Sequence, residues 1–146
     1  MIYDNPFETR LSDILFHEND PSTGVAREDI NITPQAEAIP AGTVVFRALS
    51  DLTSAGEYTV LTTAGKAALV ADNEFGVVIG DQFGFRSSFV PKAVVAKQFN
   101  AVVLKRGNIQ LKDTLIKASL PELPEADFDT LKELLKRQGV ILEVTV

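Results

Sequence analysis

The chain's single histidine stands in its most chemically suggestive stretch. His17 is followed by Glu18 and Asp20, side chains that can bind a metal ion or transfer a proton. A zinc site needs three or four convergent ligands, and a calcium loop needs oxygen donors at a regular spacing; this stretch has neither pattern. Because a proline follows Asp20, we interpret the stretch as a solvated bend that starts an extended segment. We assign no metal ligand and no cofactor to the chain.

Nucleophilic catalysis has little support in the sequence. Serines occur in two predicted loops, Ser54-Ala55-Gly56 and Arg86-Ser87-Ser88, without a histidine nearby in sequence. A triad can assemble from distant residues, but its base would come from the irregular N-terminal region, and catalytic geometry needs rigid support. None of the 20 Asp and Glu residues has a context typical of glycoside hydrolysis. We expect no enzyme and no catalytic residue; a hydrolase whose site assembles in space is the third alternative.

Aromatic residues and one arginine lie close together in QFGFRSSFVPK, namely Phe83, Phe85, Arg86 and Phe89. Such a group can stack on a base or a sugar, or it can be buried against another protein, where aromatic residues and arginine are enriched. The net charge of −6 opposes nucleic-acid binding, which relies on Lys and Arg. We favour a subunit or partner interface, with carbohydrate binding as the alternative.

Composition limits the class of protein. The 146 residues are 45% hydrophobic and 23% charged, which is typical of one globular domain. No apolar run is long enough to cross a bilayer, and the N-terminus lacks the basic and apolar regions of a signal peptide. Since there is no cysteine, disulfides and thiolate sites are excluded. We expect synthesis in a cytoplasm and no membrane partner.

The first 36 residues differ from the rest. Prolines and Gly24 interrupt them too often for a packed core, and they carry short apolar islands at Tyr3, Phe7, Leu11 and Leu15. We predict an extended N-terminal arm over residues 1–36 and one β-rich domain over residues 37–146.

Apolar and β-branched runs bounded by turn residues predict strands from Ala41 onwards. These strands cover residues 41–48, 57–63, 66–71, 74–81, 93–99, 101–106 and 108–112, and a last one starts at Val140. Apolar residues at helical spacing predict a helix at about 125–138, with Pro124 near its start and Gly139 after its end. The fold class is mainly β, a small sandwich-like or barrel-like α+β domain with one C-terminal helix.

Four segments in this order resemble the head decoration (cement) proteins of tailed bacteriophages, of the lambda type. They are STGVAREDINIT with IPAGTVVFRA, GKAALVADNEFGVVIGD, AVVLKRGNIQLKDTLIKASLPE and PEADFDTLKELLKRQGVILEV. The resemblance implies a homotrimer on the outer surface of the virion capsid. Such a trimer would bind the major capsid (coat) protein after the head expands and brace it against internal DNA pressure.

The resemblance also implies a function for the N-terminal arm. Glu28, Ile30 and Ile32 alternate with Asp29, Asn31 and Thr33, so they share one face of a strand. A strand without an obvious hairpin partner suits β-augmentation of the coat protein, with the apolar islands as further anchors. The alternatives are that the arm completes its own sheet or reaches a sister subunit. His17 would then be part of the bend between two docked pieces.

Overall fold

The computed structural model describes residues 15–17, 27–33, 39–51, 58–80, 93–94, 100–107 and 109–143. Within these ranges the chain forms ten strands and two α-helices. The strands are β1 (Leu15–His17), β2 (Arg27–Asn31), β3 (Ile39–Pro40), β4 (Val44–Ala48), β5 (Thr59–Val60), β6 (Asn73–Gly80), β7 (Ala93–Val94), β8 (Asn100–Leu104), β9 (Ile109–Lys112) and β10 (Val140–Glu143). The helices are α1 (Thr114–Ser119) and α2 (Glu125–Arg137). The fold is a small β-rich α+β domain, as predicted.

The largest sheet closes into a barrel. Its five antiparallel strands have the order β2-β8-β6-β4-β5. The two edges meet because the Tyr58 amide donates to the Asn31 carbonyl at 2.8 Å, and the Thr33 amide donates to the Tyr58 carbonyl at 2.9 Å. A register irregularity in β6 between Val78 and Gly80 adds the local bend that closure needs. These two backbone hydrogen bonds join the end of β2 to the start of β5.

The barrel strands bury both of their faces. Inward side chains form one apolar cluster, whose members are Ile30, Ile32, Ile39, Val45, Tyr58, Val78, Ala101 and Val103. Outward side chains such as Val44, Phe75 and Leu104 pack with α2 and with β9 and β10 in a second cluster. Burial on both faces explains why β4, β6 and β8 read as continuous apolar runs instead of alternating ones.

A second sheet supports the outer cluster. Its strand order is β1-β9-β10, with β10 parallel and β1 antiparallel to β9. Helix α2 buries Phe128, Leu131, Leu134 and Leu135, and the chain turns after it at Gly139, where φ is +88°. The predicted helix is confirmed to within one residue.

One predicted strand is wrong, and one helix was missed. The strand predicted over residues 66–71 is a short 3₁₀ turn at Lys66–Ala68, in which the Ala68 amide bonds to the Gly65 carbonyl at 3.0 Å. Helix α1 was not predicted, because it has six residues and one buried side chain, Ile116, too little for a periodic signal.

Part of the N-terminal region belongs to the chain's own sheets. β1 pairs with β9, and β2 pairs with β8 from Arg27↔Leu104 to Asn31↔Asn100. This is the alternative in which the region completes its own sheet. His17 lies in β1 opposite Gln110, in a strand instead of the interpreted bend. Glu18, Asp20 and residues 1–14, 21–26 and 34–36 lie outside the described residues.

Candidate functional site

A polar cluster closes one end of the barrel, and every barrel strand contributes to it. Its members are Glu28 of β2, Arg47 of β4, Tyr58 just before β5, Glu74 of β6 and Lys105 just after β8. We call these five residues the barrel-end cluster. Arg47 and Lys105 follow the inward-facing Val45 and Val103 by two positions, so the strand period of two directs them to the same side.

Lys105 is the centre of the cluster. Its Nζ lies 2.7 Å from Glu74 Oε1, 2.8 Å from the Tyr58 hydroxyl and 3.0 Å from Glu28 Oε2. Glu74 Oε1 also accepts a hydrogen bond from Arg47 Nη2 at 3.2 Å and one from the Tyr58 hydroxyl. The Lys105 side chain is 4% exposed and that of Glu74 is 15% exposed. The ammonium therefore bonds to three partners with almost no contact with solvent.

The cluster shifts three pKa values. Burial alone would raise the pKa of Glu74, but hydrogen bonds from Lys105 and Tyr58 outweigh it and lower that pKa below its usual value. Burial alone would lower the pKa of Lys105, but bonds to Glu74, Tyr58 and Glu28 raise it. Burial and the hydrogen bond to Glu74 raise the pKa of Tyr58. Each group is held more firmly in the state that it has at neutral pH.

These shifts indicate what the cluster does chemically. A general acid or base works best with a pKa near the operating pH, and all three groups move away from neutrality. The guanidinium carbon of Arg47 also lies 4.6 Å from the centre of the Tyr58 ring, a cation–π distance. The arrangement is suited to joining five strands by charge-assisted bonds.

A cavity of about 250 Å³ adjoins the cluster. It lies between the C-terminal end of α2, the start of β6, the end of β8 and the 3₁₀ turn at Leu49–Asp51. Its lining residues are Leu49, Ala71, Asn73, Glu74, Lys105, Arg106, Leu134, Arg137 and Gln138. The cavity thus combines an apolar wall with basic side chains.

Gln138 fixes the wall of the cavity on the α2 side. Its Nε2 donates to the carbonyls of Phe75 at 2.6 Å and Lys105 at 2.8 Å, and its Oε1 accepts from the Phe75 amide at 2.8 Å. The β6–β8 ladder runs only to Val77↔Leu104, so Gln138 bonds to backbone groups beyond its end. One side chain thereby joins α2 to both strands.

The structure describes some of the residues that the sequence singled out. Glu28 joins the barrel-end cluster and contacts Arg106 Nη2 at 3.0 Å, whereas Ile30 and Ile32 are 6% and 2% exposed in the barrel interior. Leu15 lies in β1, with only its backbone described. The others are Tyr3, Phe7, Leu11, Phe83, Phe85, Arg86 and Phe89, which lie outside the described residues.

Sequence reasoning missed Arg47, Tyr58, Glu74 and Lys105. Each flanks an apolar run, where a polar side chain usually marks the exit of a strand to solvent. The available signal was strand alternation, which places Lys105 on the face of Val103 and Ala101. It does not reveal that five strands bring their end residues together.

Among the described residues there is no group of three or more His, Asp or Glu side chains placed to hold a metal ion. No helix in that part of the chain is long and apolar enough to cross a membrane. The chain matches no protein-family model, no curated protein and no solved structure.

Proposed function

We propose that this chain is a non-enzymatic capsid decoration protein. As a homotrimer it binds the major capsid protein on the outer surface of the expanded phage head and stabilises the head against internal DNA pressure. The observation that carries the proposal is the order and spacing of the four segments that resemble this family. The β-rich fold with a C-terminal helix and a closing strand agrees with what the resemblance implies.

The barrel-end cluster supports a mechanical role. It joins side chains from all five barrel strands by hydrogen bonds and ion pairs, and the pKa values of Glu74 and Lys105 are shifted away from neutral pH. A brace under load benefits from such cross-strand bonds, because they must break together before the barrel opens.

We propose a shorter docking segment than the whole N-terminal region, because part of that region lies in the barrel. Residues 27–33 take part in the barrel, with Ile30 and Ile32 in its interior. We therefore assign docking to residues 1–14, whose anchors are Tyr3, Phe7 and Leu11. Three arms in a trimer would raise avidity by orders of magnitude if all three reach their sites together.

The test is co-sedimentation of the purified protein with expanded, undecorated phage heads, and with unexpanded heads as the control. We expect saturable binding to expanded heads only. A variant lacking residues 1–14 retains β1 and β2, and we expect it to lose binding; circular dichroism checks that it is folded. Normal binding by this variant would end the arm assignment and leave decoration standing. Failure of the full chain to bind a range of heads would reject decoration.

A second candidate is a small β-barrel binding module for a carbohydrate or a protein ligand. The cavity of about 250 Å³ beside the barrel-end cluster favours it. A glycan array separates the two candidates, with Phe85→Ala as the variant that tests the aromatic segment QFGFRSSFVPK. Specific binding that depends on Phe85 would favour the module over decoration.

A further inference from the structure

The cavity beside the barrel-end cluster has room for one large side chain. A cavity of ~150 Å³ is enough to hold benzene, and this one measures about 250 Å³. Leu49, Ala71 and Leu134 give it an apolar wall, and Leu49 is 42% exposed. In protein interfaces, a pocket of this kind is commonly filled by one anchor side chain of the partner.

The charge around the cavity is opposite to that of the chain. Three lining residues are basic, Lys105, Arg106 and Arg137, and Glu74 is the one acidic lining residue. Lys105 is paired with Glu74 and Glu28, and Arg106 shares Glu28. The basic lining therefore exceeds the acidic lining on a chain with a formal net charge of −6.

Arg137 is the least engaged of these cations. It is exposed in the last turn of α2, and it makes no ion pair with any residue in the part of the chain that the structure describes. A cation there also offsets the negative end of the helix dipole, a role that Lys136 serves equally well. What separates the two is position, since Arg137 lines the cavity and Lys136 does not. An arginine presents several donors in a plane and can grip a carboxylate with two bonds.

We propose that this cavity is an anchor pocket for a partner protein segment in which one large apolar side chain is flanked by carboxylates. The apolar side chain packs against Leu49 and Leu134, and the carboxylates bind the guanidiniums of Arg106 and Arg137. The inference does not depend on decoration. If the chain is a decoration protein, the partner segment belongs to the coat protein or to a protein bound beside it.

The probe is the blocked pentapeptide Asp-Glu-Phe-Glu-Asp, titrated into the isotope-labelled full chain and followed by amide chemical shifts. We expect saturable shifts at Ala71, Asn73, Arg106 and Gln138, with a millimolar Kd. Lys-Lys-Phe-Lys-Lys and Asp-Glu-Ala-Glu-Asp should each bind at least ~10-fold more weakly, which corresponds to ~1.4 kcal/mol.

Two matched variants show whether the cavity is responsible. Arg137→Glu should weaken binding at least ~10-fold, whereas Lys136→Glu, an equal charge change one residue away, should change it less than ~3-fold. Equal loss in both variants would mean non-specific charge attraction and would overturn the proposal. So would the absence of shifts at the cavity. Shifts at these amides that grow with protein concentration, without peptide, would make the occupant a second copy of this chain instead.

Discussion

The ammonium of Lys105 lies 2.7 Å from Oε1 of Glu74, and the two side chains are 4% and 15% exposed. They come from neighbouring strands of the barrel, β8 and β6, at the end where its ladder stops. A buried pair of this kind is costly to break from one side, because the remaining charge is left without its partner in a place that water reaches poorly.

Loss of either partner should therefore destabilise the protein. We expect Lys105→Met to lower the free energy of unfolding by ~3–5 kcal/mol and Glu74→Gln by a similar amount. The double variant should lose less than the sum of the two, since neither charge is then stranded. Urea unfolding measures all three. Lys66→Met is the control, because its pair with Asp127 is 3.5 Å long and its side chain is 53% exposed; it should cost under ~1 kcal/mol. Additive losses would mean that Lys105 and Glu74 act independently.

The cluster also predicts how stability depends on pH. The folded pKa of Glu74 lies below its usual 4.5, so its contribution is present above that value and is lost as pH falls through the folded pKa. The folded pKa values of Tyr58 and Lys105 lie above 10.0 and 10.5. The contribution of these two groups to stability is present below those values and is lost as pH rises through their folded-state pKa values. The midpoint of thermal unfolding, measured across pH, should show a plateau between the acid and alkaline ranges. In Glu74→Gln, the loss of stability at acid pH should be smaller. If Glu74→Gln loses as much stability at acid pH as the unchanged protein, other carboxylates are responsible for that loss.

Gln138 provides a test of how α2 is attached to the barrel. Replacing it with alanine removes three hydrogen bonds to the backbone of Phe75 and Lys105. Because buried backbone groups would lose their partners, we expect a loss of ~1–3 kcal/mol in the free energy of unfolding. Hydrogen exchange at the Phe75 amide should become faster than in Lys136→Ala, a change at an exposed residue two positions before Gln138. Equal exchange in the two variants would show that water replaces the Gln138 amide without penalty.

The sequence predicted the elements that have a strong local signal. Helix α2 has apolar residues at helical spacing, acids in its first turn and Gly139 after its end, and it was placed to within one residue. β4, β6, β8 and β9 were also expected, because β-branched runs bounded by turns rarely fit another structure. The segment from Lys66 to Ala71 has an equally apolar composition, yet it turns, because its backbone groups bond locally around Gly65.

The sequence pattern did not predict contacts between residues that are far apart in the chain. Closure of the barrel depends on Tyr58 meeting Ile32 across 25 intervening residues of chain, and no local preference encodes that pairing. The barrel-end cluster has the same origin, since Glu28, Glu74 and Lys105 are separate in sequence and meet only through strand order. Sequence reasoning placed Glu28, Ile30 and Ile32 on one face of a strand and favoured its addition to a coat-protein sheet, with the chain's own sheet as an alternative.

Gly42 tests the packing of the barrel against α1. Its φ is +95°, and an added Cβ would lie 2.7 Å from Cβ of Leu115. We expect Gly42→Ala to lower the free energy of unfolding by ~2–4 kcal/mol, from the left-handed backbone and the overlap together. Gly65→Ala is the control, because its nearest neighbour is the rotatable Thr62 hydroxyl at 3.1 Å and its φ is negative. Chemical unfolding of the two variants gives the comparison, and similar losses would mean that Leu115 moves aside at little cost.

Replacing Ile32 tests whether β2 belongs to the barrel or docks on a partner. Its side chain is 2% exposed in the barrel interior, so Ile32→Ala should cost ~2–5 kcal/mol in the free energy of unfolding. Val70→Ala is the control at 45% exposure and should change stability by under ~0.5 kcal/mol. Under conditions where Ile32→Ala remains folded, its binding to expanded heads should match that of the unchanged protein, because the side chain faces inward. If Ile32→Ala instead keeps full stability and loses head binding, β2 acts as a docking strand, and the barrel closes without it.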